Sequence, residues 1–249
     1  MQQFGQITCR MSGWVMLCLA LAVAGCSLTD QTPAYRYRLT VEVDTPDGVK
    51  TGSSVIEVDT EVAGGYSIPT PGRVTNRVRG EAVTVDLGEG RVLFALLRSE
   101  ADIDWAGRGM YRLSPQYAGE NALRDGYRNM LRHRPERTVP RHFSRADQVN
   151  ERSAYPMLVT FGDLDDPTSV EELDPDELAA TFGEGVSLKR ITVQVIDDPV
   201  TSGIERRLRW LGQYRKKHFD GTSTASEDLT TNDLTARFSA GTFSTELYR

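Results

Sequence analysis

Cysteine is scarce in this chain of 249 residues and its placement is lopsided: Cys9, Cys18 and Cys26, with none after them. Disulfides, thiol nucleophiles and cysteine-ligated metals are thereby excluded for everything that follows Cys26. Histidine is equally scarce, with only His133, His142 and His218. His133 and His142 flank a loop rich in proline and arginine. Without a third ligand they make no metal site, and no His-Glu-x-x-His spacing occurs. A Ser–His–Asp triad assembles from distant residues and needs no fixed spacing, but no Gly-x-Ser-x-Gly elbow supports one. The histidines are expected on the surface or in loops. No apolar run reaches the ~20 residues that carry a helix across a bilayer. Basic excess is lacking too: the net charge is −6, which argues against general nucleic-acid binding. No repeat at a solenoid or propeller period is visible.

The first thirty residues have one charged side chain before Cys26, Arg10, just ahead of an apolar run from Trp14 to Ala24. A basic start, a short apolar stretch and a small-residue end form the layout of a secretory signal. Val23-Ala24-Gly25-Cys26 resembles the lipobox of bacterial lipoproteins. The resemblance implies cleavage before Cys26, acylation of its sulfur and amine, and stable anchoring by several acyl chains. Ser27 in place of Asp implies the outer membrane rather than retention at the inner one. On this reading residues 1–25 are a signal peptide and residues 26–34 a polar tether. The 224 residues left after cleavage carry a charge of −7, enough chain to bury a sizeable core.

The body over residues 35–220 reads as one α+β domain, an antiparallel sheet with a few helices packed on it. Tyr35, Tyr37, Leu39, Val41 and Val43 alternate with polar residues, and Ile56, Val58 and Val62 continue the pattern beyond the Pro46-Asp47-Gly48 turn. This is a hairpin with one buried face. Residues 63–72 read as a loop, followed by strand-like runs at Val74 and Val78 and at Val83, Val85 and Leu87. Residues 92–97 are apolar throughout, which predicts a central strand covered on both sides. Gly88-Glu89-Gly90 and Gly183-Glu184-Gly185 precede strands, so both are turns rather than phosphate cradles on helix amides. Residues 100–155 form an arginine-rich helix and loop region with a helix over 120–133, broken afterwards by Pro135 and Pro140. Residues 156–220 are mixed. They hold a strand at 157–161, a short helix opened by Asp174-Pro175-Asp176-Glu177, a strand at 186–196 and a basic amphipathic helix at 204–218. Residues 221–249 are rich in Ser and Thr, with a terminal strand over 236–247.

Two constellations stand out. The acidic stretch from Asp163 to Glu177 suggests calcium, but Thr168 and Pro167 break the EF-hand pattern, and a solvated loop with a helix cap explains the charges. The arginine-rich middle interleaves aromatics with Arg124, Arg128, Arg132, Arg134, Arg137 and Arg141. Guanidinium groups pair bidentately with phosphate and carboxylate, so these six are the candidate anion-binding set. The alternative is that they pair with the domain's own carboxylates. The basic helix at 204–218 either packs its apolar stripe on the sheet or lies on a membrane. The expected function is that of an envelope lipoprotein held by lipid on Cys26. It would bind an anionic envelope polymer, a lipid headgroup or a protein partner, without cofactor or metal. The alternative is a periplasmic hydrolase whose site spacing does not reveal.

Overall fold

A computed structural model describes residues 30–31, 34–62, 74–115, 118, 122–132, 134–143, 153–224 and 231–248. The architecture is α+β, two antiparallel sheets with short helices packed on them. The chain divides into two compact units. In the smaller, residues 1–32 and 60–75, the described pairing is a short antiparallel rung: β1 (Asp30–Gln31) meets Glu61 and Val62 of β3. The loop read over 63–72 and the leader with Cys26 lie outside the described residues. Everything below concerns the larger unit, residues 33–59 and 76–249.

The first sheet grows from the predicted hairpin. β2 (Tyr35–Thr45) pairs antiparallel with β3 (Gly48–Val62) from Tyr35↔Val58 to Thr45↔Gly48. From Tyr35 to Val43 its odd-numbered residues are buried and the even-numbered ones between them are only partly so, as period-2 alternation dictates. β10 (Ser187–Ile196) flanks β2 on the other side, burying Ile191, Val193 and Val195. β7 (Arg137–Thr138), between the two prolines, adds a short edge to β10, and β4 (Val74–Arg79) joins β3. The second sheet runs β5 (Val83–Gly88), β6 (Arg91–Ala95), β8 (Leu158–Phe161) and β9 (Val170–Glu172).

β6 is the predicted central strand. Leu93 and Ala95 pack into a core shared with the first sheet, while Val92 and Phe94 pack into a second core on the opposite face. Where the sheets cross, Gly52 lies against β5 so closely that a Cβ there would stand 2.1 Å from the Thr84 carbonyl oxygen. The second core is largely aromatic. Phe219 packs edge-on against Trp210, Tyr214 and Phe238, and lies tilted against Phe161 and Phe243.

Helix α1 (Trp105–Arg112) was not foreseen, because Gly107 and Gly109 weaken its pattern. Both glycines serve packing: a Cβ on Gly107 would meet Asn76, and one on Gly109 would touch the Trp105 ring. Trp105 anchors the helix by donating its indole N–H to the Ala154 carbonyl at 2.9 Å. Helix α2 (Ala122–Arg132) falls where residues 120–133 predicted it, with Tyr127 and Met130 buried.

Three expectations change. The helix at 204–218 is replaced by two 3-10 turns, Ile204–Arg206 and Leu211–Tyr214. Trp210 lies off the stripe made by Ile204, Leu208 and Leu211, yet all four are buried, so one regular helix cannot satisfy them. The indole N–H of Trp210 instead reaches the Leu164 carbonyl at 2.7 Å. This apolar stripe is committed to the core. The terminal strand over 236–247 is replaced by helices α4 (Leu234–Arg237) and α5 (Ala240–Phe243) and a 3-10 turn. Asp233 caps the first by accepting from the Thr235 amide, and Ser239 with Thr242 forms a capping box on the second. Phe238 and Phe243 are thereby driven into the core. Finally, Asp174 caps the Asp176 amide rather than a helix, and helix α3 (Leu178–Phe182) starts four residues later and ends at Gly183, φ 99°.

Candidate functional site

The structure disperses the six arginines of the middle region. The side chain of Arg124 lies outside the described residues. Arg128 and Arg132 are exposed on α2, Arg128 only loosely paired with Asp125 at 3.9 Å. Arg134 bonds Asp197 at 2.5 Å and the Leu131 carbonyl at 3.1 Å. Arg137 donates to the Leu113 carbonyl at 3.1 Å, with its Nε buried and unpaired. Arg141 reaches Asp176 at 3.0 Å and Ser153 at 2.6 Å and lies over the Tyr155 ring. Arg112 joins Asp102 at 2.8 Å. Arg134, Arg137 and Arg141 thus bond within the protein itself, whereas Arg128 and Arg132 of α2 turn exposed guanidinium groups to solvent.

The acidic stretch resolves into local caps. Asp163, Asp166 and Asp174 each accept from the amide two residues on, at 2.9 Å in all three cases. Such side-chain turns use the carboxylates to close the backbone. Among the described residues no three acidic, histidine or cysteine side chains cluster to hold a metal.

The arrangement with most chemical content surrounds the residues after β6. The Leu97 amide bonds the Thr242 carbonyl and the Met157 amide bonds the Arg98 carbonyl, which fixes Arg98 and Glu100 between α5 and the approach to β8. A cleft of about 310 Å³ opens there, bordered by Arg98, Glu100, His218, Arg237, Ser239 and Thr242. A second cleft of about 380 Å³ shares Glu100 and adds Arg141, Tyr155 and Glu172. The two share Glu100, and both carry arginine and glutamate side chains in their lining. Desolvation and the nearby charge of Glu100 push the Glu172 carboxyl up from its ordinary range.

His218 is the residue the sequence reading missed. It was expected on the surface or in a loop, and the structure buries it to 2% exposure. Both ring nitrogens are enclosed without a partner among the described residues. Its backbone is held by the Thr222 carbonyl and by a bridge to Ser239. Phe219 beside it, which plunges into the aromatic core, was the only hint in the sequence. His142, by contrast, is exposed and pairs only through its backbone with Ser153; His133 lies outside the described residues. Among the described residues no hydroxyl or carboxylate hydrogen-bonds His218, the contact by which a histidine activates a nucleophile.

Glu81 is a second buried ionisable group, with a structural explanation. Its carboxylate accepts from the Ile204 amide at 2.9 Å and the Ser244 hydroxyl at 3.1 Å, tying the 3-10 turn at 204 to the end of α5. No family model, curated protein or solved structure matches the chain.

Proposed function

We propose that this chain is a lipid-anchored protein of the cell envelope whose folded body binds its partner rather than transforming it. The observation that carries the anchor is the sequence Val23-Ala24-Gly25-Cys26 at the end of a short apolar run. Ser27 favours the outer membrane, with the body facing the periplasm. Binding is supported by the two polar clefts that share Glu100, each lined by both signs of charge. The exposed guanidinium groups of Arg128 and Arg132 on α2 suit an anionic envelope polymer.

The test is a Cys26→Ser chain followed by membrane fractionation and mass measurement of the residue 26 peptide. Wild type should appear in the membrane fraction with acyl mass on Cys26, and the variant should lose both mass and membrane residence. A variant that stays on the membrane at unchanged level overturns the anchor.

A hydrolase is the second reading, and the place of His218 in the lining of the cleft with Glu100 and Ser239 is what favours it. Turnover of an ester, amide or phosphoester probe that vanishes in His218→Gln with the fold intact would replace binding by catalysis. No turnover in wild type removes that reading.

A further inference from the structure

We infer that the basic segment at residues 206–217 is the face the body turns toward the bilayer, where it meets anionic phospholipid headgroups; the inference rests on the lipid anchor proposed above. Arg206, Arg207, Arg209, Arg215, Lys216 and Lys217 fall within twelve residues, with no acidic residue among them, in a chain of net charge −6. All six side chains are exposed. Arg207 is matched by Asp86 at 2.9 Å, and Arg215 bonds the carbonyls of Gly212 and Leu247. Arg206, Arg209, Lys216 and Lys217 have no side-chain partner among the described residues. Elsewhere most of the described arginines are neutralised, as in the Arg36–Glu57–Arg79–Glu246 network.

Position singles out the occupant. The chain enters the larger unit at the start of β2, and the basic segment is fastened to that same edge at both of its ends. On one side the Thr201 amide bonds the Val55 carbonyl, and the Val55 amide bonds the Thr201 hydroxyl. The Asp198 carbonyl and carboxylate meanwhile hold Arg36 and Arg38 of β2. On the other side Tyr248 donates to the Arg215 carbonyl, and its neighbour Glu246 pairs with Arg79, which pairs with Glu57 opposite Arg36. Seven residues separate Cys26 from Ala34, a reach of at most roughly 28 Å over the connecting chain when fully extended. The anchor therefore holds this edge within that reach of the membrane, and the basic segment gives a chain of net charge −6 a face that an anionic surface attracts. The contact is by charge and not by insertion, because Leu208, Trp210 and Leu211 are buried in the core. Such attraction acts within about one Debye length, ~8 Å at physiological salt, so the cations must lie against the headgroups.

The absence of other thiols supplies the probe. In the acylated, processed protein a single introduced cysteine is the sole thiol available to a fluorophore. Gln213→Cys labels the basic segment. Glu184→Cys labels the turn beside Pro46, at the far end of β2. Full-length lipidated protein is placed in vesicles of phosphatidylcholine with or without phosphatidylglycerol, each carrying a headgroup quencher. The label at 213 should be quenched severalfold more than that at 184. The excess should vanish in neutral vesicles, at high salt, and in R206Q/R209Q/K216Q/K217Q, while Arg128→Gln with Arg132→Gln leaves it unchanged. Equal quenching at the two positions, or quenching at 213 indifferent to lipid charge, overturns the orientation. If Cys26 carries no acyl mass and the protein stays in solution, the anchor falls and this face with it; acylated protein without the excess at 213 removes this face alone.

Discussion

Glu81 shows how one buried carboxylate can be tuned by its surroundings and still serve only the fold. Burial pushes its pKa up, against the opposing hydrogen bonds from the backbone near Ile204 and from Ser244. A carboxyl whose folded pKa exceeds its unfolded one stabilises the fold most fully below the unfolded value, and that contribution is lost as pH rises through the folded value. Glu81→Gln keeps an acceptor for the Ile204 amide and offers a donor to Ser244, without a charge. Its urea midpoint should match wild type near about pH 4 and exceed it at neutral pH; a midpoint equal to wild type at both would contradict the burial argument. Glu81→Ala leaves two buried donors unanswered and should lose about 1–3 kcal/mol at either pH. His218 belongs to the same scale and was illegible beforehand. A histidine among lysines reads as solvated, and only packing of the next residue, Phe219, drags the ring inward.

At the scale of the element, legibility followed periodicity. The β2–β3 hairpin, β6, β10 and α2 all carry a regular apolar pattern, and each appears close to where that pattern places it. The segments that changed have conflicting demands. Residues 204–217 must bury Trp210 as well as the stripe of Ile204, Leu208 and Leu211, and residues 234–248 fold by local capping that overrides their β-like composition. The partners of the candidate arginines were not legible beforehand: the carboxylates and carbonyls that Arg134, Arg137 and Arg141 meet come from elements far along the chain. What stays available is α2, so Arg128→Gln with Arg132→Gln should weaken salt-dependent binding to an anionic glycan in equilibrium measurements, whereas Arg137→Gln should change stability instead. Unchanged affinity in the first variant would remove α2 as a contact. Gly52 marks the crossing of the two sheets. Gly52→Ala drives a methyl into the Thr84 carbonyl and should cost about 1–3 kcal/mol, read from the urea midpoint with the slope unchanged.

For the whole molecule, two cores on either face of the second sheet make the region after residue 204 as structural as the strands before it. Phe219 touches five other rings, and Phe219→Ala should destabilise by about 3–5 kcal/mol. Loss smaller than 1 kcal/mol, roughly the cost of a mild core change, would mean the aromatic core does not bear on global stability. The pairing of β2 has a further bearing, on time. β3 follows it at once, but its other neighbour, β10, begins only at Ser187. A hairpin alone is marginal in water, and closing so long a span makes folding slow. If the chain is threaded through a membrane leader first, as proposed above, it emerges with one edge of β2 unsatisfied until residue 187 has crossed. During that interval it is a pliable thread, suited to passage and exposed to pairing with its neighbours.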